Sequence, residues 1–302
     1  MATMIEPSAF GSEAGTSDRV FSNRLRQLLQ DLPTAANEHT NGDGTTTLFQ
    51  LQKVPIYDDS NTIITVDGVL VPIVRSRGAL VPGNCFIEFD TGTVIFGTAP
   101  DVGSNNIAIQ KTRVRWSEGT LVESLMGGVR MLFPAQFRLG VDTSITLQVN
   151  TWDYTLPNAF WDPRVRIISV GTREIPASVN RVIPISGFNR RGLNILEIPT
   201  SQRYTPGSTV FVEYTAPYRS LSELEPQLYD LPIWYAAGQL LGFGEGRRTN
   251  IANQSVAAES SANPPGYMQN TGAWYMTQFR QMLATFPPPV MRMPKPISTY
   301  ER

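Results

Sequence analysis

Residues 231–248, LPIWYAAGQLLGFGEGRR, constrain this chain more than any other stretch. Pro232 suits a first helical turn, where a missing N–H costs nothing, and Ile233, Ala236, Ala237, Leu240 and Leu241 then recur at helical spacing. The pattern predicts a helix with one apolar stripe. Ala236, Ala237 and Gly238 narrow its middle, so a second helix can approach closely, and Gly242, Gly244 and Gly246 are expected to end it before Arg247 and Arg248. Such a stripe needs covering. Two other segments have the matching period, residues 121–133 and 275–286, and what lies between the helices reads as strand and turn. The expected class is therefore α+β: a small helical bundle assembled from distant segments, with two antiparallel β-rich, sandwich- or barrel-like modules and extended terminal arms.

Taken in order, residues 1–16 are small, polar and without periodicity, and are expected to form an N-terminal arm. Residues 17–115 read as a leading helix, with Phe21, Leu25, Leu28, Leu29 and Leu32 on one face, followed by a first β module. Pro33 is expected to end that helix, and TAANEHTNGDGTT after it reads as a polar loop. Asp67-Gly68 between two apolar runs predicts a tight hairpin, and Asp90-Thr91-Gly92 a second one; Pro72 demotes its strand to an edge or a bulge. Residues 116–134 form a connecting helix, with Ser117 as its N-cap, a stripe of Leu121, Leu125, Val129 and Leu132, and Gly127 and Gly128 as points of close packing. Residues 142–217 read as a second module of about seven short strands, and residues 221–286 as C-terminal helices opened by a Ser222–Glu225 capping box. The modules share a pattern. Gly92, then Gly103-Ser104, in the first recurs as Gly192, then Gly207-Ser208, in the second, as either a duplicated unit or convergent hairpins would give. Prolines in residues 287–302 forbid a helix there, which predicts an extended C-terminal arm.

A net charge of −1 over 302 residues argues against a protein that holds nucleic acid by bulk electrostatics. Of 25 basic residues three are lysine (Lys53, Lys111 and Lys295), which leaves 22 arginines. Three Arg-x-Arg pairs, Arg75 with Arg77, Arg113 with Arg115 and Arg164 with Arg166, would each make a two-arginine patch if they lay on strands. No apolar run is long enough to span a membrane, and the first residues have neither the basic nor the apolar region of a signal peptide. The sequence contains neither phosphate-cradling glycine pattern and no Gly-x-Ser-x-Gly. His39 and Cys85 are each alone of their kind, so no base is at hand for a nucleophile and no thiolate pair for a metal. The expectation is a chain that is not an enzyme, with no catalytic residues, no metal and no cofactor.

The order of pieces resembles the head-to-tail connector, or adaptor, proteins of tailed bacteriophages. The likeness is carried by WSEGTLVESLMGGVRMLFP, the strand entry WDPRVRIISV, the LPIWYAAGQLLGFGEGRR helix, the polar loop at residues 254–266 and WYMTQFRQMLATFPPP, over about residues 116–290. Residues 46–115 exceed a minimal adaptor. The resemblance implies a virion structural protein, assembled in the host cytoplasm into a homo-oligomeric ring of twelve copies beneath the portal. It would continue the DNA channel, touch passing double-stranded DNA and give adjacent neck and tail proteins a docking platform. Candidate interface residues are Trp234, Tyr235, Arg247 and Arg248 on the central helix and Val290, Met291, Met293 and Ile297 on the tail. The alternative is a receptor- or carbohydrate-binding β-sandwich protein of a tail fibre or baseplate, which would present exposed aromatic platforms.

Overall fold

A computed structural model describes residues 17–58, 61–173, 182–199, 204–251 and 267–289. The chain is α+β. Four α-helices and four small sheets are seen among the described residues, and none of the sheets closes into a barrel. Two compact units result, one of residues 1–126 with 233–273 and the other of residues 127–232 with 274–302.

In the first unit, α1 (Ser17–Leu29) buries Phe21 and Leu25 and ends at Gln30, which adopts a left-handed φ of 54°. The Asp31 N–H then closes onto the Arg26 carbonyl at 2.9 Å, so the helix stops three residues before the expected Pro33. The stretch read as a polar loop is a strand, β1 (Thr34–Gly42). Its register against β8 (Gly103–Arg113) turns Ala36, Glu38 and Thr40 inward and Asn37 and His39 outward. The alternation was invisible by hydropathy because an inward position is a carboxylate, which lies 2.8 Å from the buried Lys111 ammonium.

The remaining strands of the first module are β2 (Leu48–Gln50), β3 (Ile63–Val66), β4 (Val69–Val71), β5 (Ile73–Val74), β6 (Cys85–Glu88) and β7 (Thr93–Phe96). Both expected hairpins form. Asp67 and Gly68 take φ of 52° and 80°, as a tight turn between β3 and β4 requires, and Gly92 (φ 73°) turns β6 into β7. Pro72 interrupts the run between β4 and β5, and the chain changes sheets there. The sheets, ordered β1-β8-β3-β4 and β2-β7-β6-β5, bury Leu51, Ile64, Cys85, Ile87, Val94, Phe96, Ile107 and Ile109 in one cluster.

The second module, in the second unit, comprises β9 (Arg138–Thr146), β10 (Asp153–Thr155), β11 (Ile167–Arg173), β12 (Val182–Pro184), β13 (Asn189–Arg191), β14 (Ile195–Glu197) and β15 (Thr209–Ala216). Its sheets run β12-β11-β15-β9 and β10-β14-β13 around a core that includes Phe160, Leu196, Val210, Val212 and Tyr214. The strand order repeats that of the first module. In each, the first strand pairs the last, the last pairs the third and the third the fourth, while the second strand pairs the distal arm of the late hairpin; β5 is the extra strand of the first. Gly92 and Gly192 (φ 62°) fall on the equivalent late-hairpin turns, while Gly103 begins β8 and Gly207 lies in the turn two residues before β15. The shared sequence pattern therefore marks equivalent places in one repeated topology.

The helix α2 (Glu118–Leu132) starts where expected: the Ser117 hydroxyl accepts the Thr120 N–H at 3.1 Å, and Leu121, Leu125, Val129 and Leu132 are all buried. The central helix α3 (Asp230–Ile251) does not end at its glycines but continues through all three. The capping box does not form either. Ser222 lies in a short 3-10 turn with its hydroxyl 2.8 Å from that of Ser220, and α3 begins only at Asp230. Expected close packing is present. Within the second unit a side chain added at Gly128 of α2 would come 2.7 Å from the Pro232 Cα. Within the first, one added at Gly272 of α4 (Tyr267–Thr285) would meet the Gly238 carbonyl at 2.9 Å, the narrow point noted in the sequence.

Candidate functional site

The first unit places two charged nodes inside. The Arg26 guanidinium, at the end of α1, reaches the Asp31 carboxylate at 2.7 Å, the Trp116 carbonyl at 2.9 Å and Glu118 at 3.1 Å. Asp31 accepts in turn from the backbone N–H groups of Arg115 at 2.6 Å and Trp116 at 3.2 Å. The node therefore ties the leading helix to the start of α2. The second node is Glu38 with Lys111, and the Glu38 carboxylate also accepts from the N–H groups of Lys53 at 2.7 Å and Gln52 at 3.1 Å. Burial alone would raise the Glu38 pKa. The Lys111 ammonium and the two N–H donors outweigh it and hold the carboxyl below its usual value. Each node ties separate stretches of the unit together, although Arg26 Nε is buried without a hydrogen-bond partner and Lys111 Nζ meets Glu38 as an ion pair only.

His39 is exposed on the outer face of β1. Cys85 is fully buried, and burial pushes its thiol up to about 12, far from the thiolate a nucleophile needs at neutral pH. Among the described residues no group of three or more His, Cys, Asp or Glu is placed to hold a metal ion. Nor is any helix among them long and apolar enough to cross a membrane. The Arg-x-Arg pairs do not make the expected strand-face patches, because only Arg113 lies in a strand. Arg75 pairs with Asp58 and stacks on Phe89; Arg115 stacks on Trp116; Arg164 pairs with Asp162 at 2.8 Å and covers the Phe133 ring. Arg75, Arg115 and Arg164 thus each clamp a local neighbour.

Of the candidate interface residues, Trp234 is half-buried on α3, and Tyr235 is 8% exposed with its hydroxyl accepting from Gln239 Nε2 at 2.8 Å. Arg247 and Arg248 fall on the last turns of α3, but their side chains lie outside the described set. Val290, Met291, Met293 and Ile297 lie outside the described residues. The start of the tail is placed: Gln136 Nε2 donates to the carbonyls of Phe286 at 3.3 Å and Pro287 at 3.0 Å.

A surface missed in the sequence stands out on the second module. The outer face of β12-β11-β15-β9 carries Leu139, Val141, Val182, Pro184 and Phe211, and a shallow groove of about 240 Å³ runs over it, with Ser169, Gly171 and Glu213 among its lining. Leu139 and Val141 are more than half exposed, and Val182 nearly so. Sequence alternation puts leucine and valine inside; here Gly140, between them, is the inward residue, because the Tyr214 ring fills the core against it at 2.7 Å from where a side chain would begin. The equivalent face of the first module is mixed: its cross-strand rows are His39, Ala108, Thr65 and Leu70, then Asn37, Gln110 and Ile63. Trp152 and Trp161 of the second module are also more than half exposed.

No protein-family profile matches the chain, and no curated protein does. Among solved structures the chain is similar to a component of the "Neck of empty GTA particle computed with C6 symmetry", at 14% identity over 52% of this chain and 77% of that one, with a TM-score of 0.22. At that score the superposition is too loose to carry a role across.

Proposed function

We propose that this chain is a structural, non-enzymatic protein of a phage-like neck. It forms a homo-oligomeric ring beneath the portal, dodecameric in the reading taken from the connector resemblance, which continues the DNA channel and gives adjacent neck and tail proteins a platform. The observation that carries the proposal is the apolar outer face of the second module. The equivalent face of the first module exposes Ile63 and Leu70 among His39, Asn37, Thr65 and Gln110, whereas here Leu139, Val141 and Val182 are joined by Pro184 and Phe211 around a groove, and exposed apolar area of this kind marks a surface made to be covered. Near-neutral charge fits a channel wall that lets double-stranded DNA slip past. Trp234, Tyr235, Arg247, Arg248 and the tail residues remain the proposed contacts to the portal and neighbouring subunits, and the place of action is the virion neck. Negative-stain microscopy of the purified chain with and without portal protein tests this. Rings that bind the portal are expected; a monomer at every concentration that ignores the portal would overturn it.

Exposed Trp152 and Trp161 favour a second reading, a glycan- or receptor-binding module, because flat aromatic faces are where sugars stack. Trimers that bind a glycan array and lose binding on Trp152→Ala and Trp161→Ala would support that reading over the first.

A further inference from the structure

We infer that the groove on the outer face of the β12-β11-β15-β9 sheet is the seat of residues 290–297 from a second copy of the chain. The inference rests on the assembly reading above and names the partner surface.

The receiving side is apolar and partly hollow. Gly171 lies in the sheet beneath the groove; a side chain there would run into Val182 at 2.4 Å, so its absence lets Val182 lie over the sheet. Glu213 supplies the acid, with one oxygen already accepting from the Ser169 hydroxyl at 2.5 Å. The equivalent sheet of the first module has the same strand order, but its outer face mixes Ile63, Leu70 and Ala108 with His39, Asn37, Thr65 and Gln110.

The incoming side is in the sequence. Residues 290–302 follow the last described residue, and 290–297 read Val-Met-Arg-Met-Pro-Lys-Pro-Ile. In an extended segment Met291 and Met293 point to one side, and unbranched methionines fill shallow, irregular apolar hollows. Arg292 and Lys295 are basic and no acid occurs before Glu301, which complements Glu213. Pro294 and Pro296 lower the entropy lost on docking. A second copy is the occupant because tail and groove are different surfaces: such a head-to-tail contact, repeated by a rotation that closes, makes the proposed ring.

The test uses two differently tagged full-length chains, one with Val141→Cys and the other with Met293→Cys. Native Cys85 can stay, since it is buried and its thiol is pushed up to about 12. Under mild oxidation the mixture should yield a disulfide-linked heterodimer at least ~10-fold above the same pairing made with Val102→Cys, an exposed site in the first unit. Adding Val182→Glu to the Val141→Cys chain should remove that excess. Equal yield from Val102→Cys, indifference to Val182→Glu, or an intrachain bond as the sole product when both cysteines share a chain would each overturn the inference. Portal-binding rings without this cross-link would remove the inference and leave the neck reading. A specific cross-link in a chain that never joins a neck would do the reverse.

Discussion

The two β modules thread their strands in the same order yet differ in what they put inside and outside. The first carries charge inward: Glu38 on one sheet meets buried Lys111 and clamps the backbone of Gln52 and Lys53, just beyond β2 of the other sheet, and the Arg26–Asp31 node fixes the helix in front. The second has an apolar and aromatic core, with Phe160 and Tyr214 ring centroids 4.3 Å apart. Among the described residues its ion pairs, Arg138–Glu223, Arg164–Asp162 and Arg191 with Asp153 and Glu197, are all partly exposed. The outer faces differ too: polar and apolar side chains are mixed on the first module, while apolar ones gather around a groove on the second. One strand order thus tolerates opposite chemistries, because the turns and the in-out alternation hold the order while inward polar groups need only have partners.

The sharpest way to break this contrast is Asp31→Ala. It leaves the Arg26 guanidinium buried beside an empty place and two N–H groups unmet, so a loss of about 3–5 kcal/mol is expected, read as faster hydrogen exchange in peptides of residues 17–126. Arg26→Met with Asp31→Leu should recover much of it; a double variant as unstable as the single would mean that the node is not a charge problem. In the second module Phe160→Ala should cost about 3–5 kcal/mol by opening a cavity in a fully buried place, and denaturation should show no rescue by salt.

Gly140→Ala should lose about 1–3 kcal/mol against the Tyr214 ring, whereas Val141→Thr next to it should stay within about 0.5 kcal/mol in the isolated chain. Equal effects in thermal melts would refute the inward glycine and outward valine. For Glu38 the folded pKa lies below the unfolded value of about 4.3, so its contribution is present above that pH and is lost as pH falls through the lower, folded value. Urea midpoints should therefore decline below about pH 4.3, and Lys111→Met should flatten that decline. Arg164→Ala, at an exposed pair, should cost under about 1 kcal/mol and vanish in high salt.

Much of the fold was legible because its signals are local. Asp67-Gly68 and Gly92 must turn whatever surrounds them, Ser117 caps its helix with a neighbouring N–H, and the small residues at Gly128 and Gly238 leave room that only close packing uses. The sequence also determined α2 by its stripe, and the equivalence of Gly92 with Gly192, since a repeated turn repeats its residue. Tertiary structure alone decided the rest. β1 is a strand because Lys111, 73 residues on, neutralises an inward carboxylate. The helix at Gly242, Gly244 and Gly246 continues because propensity is a weak preference, of about 1 kcal/mol per glycine, that context overrides. Leu139 and Val141 face outward because Tyr214, about 75 residues away, has already filled the space inside, leaving room there only for glycine.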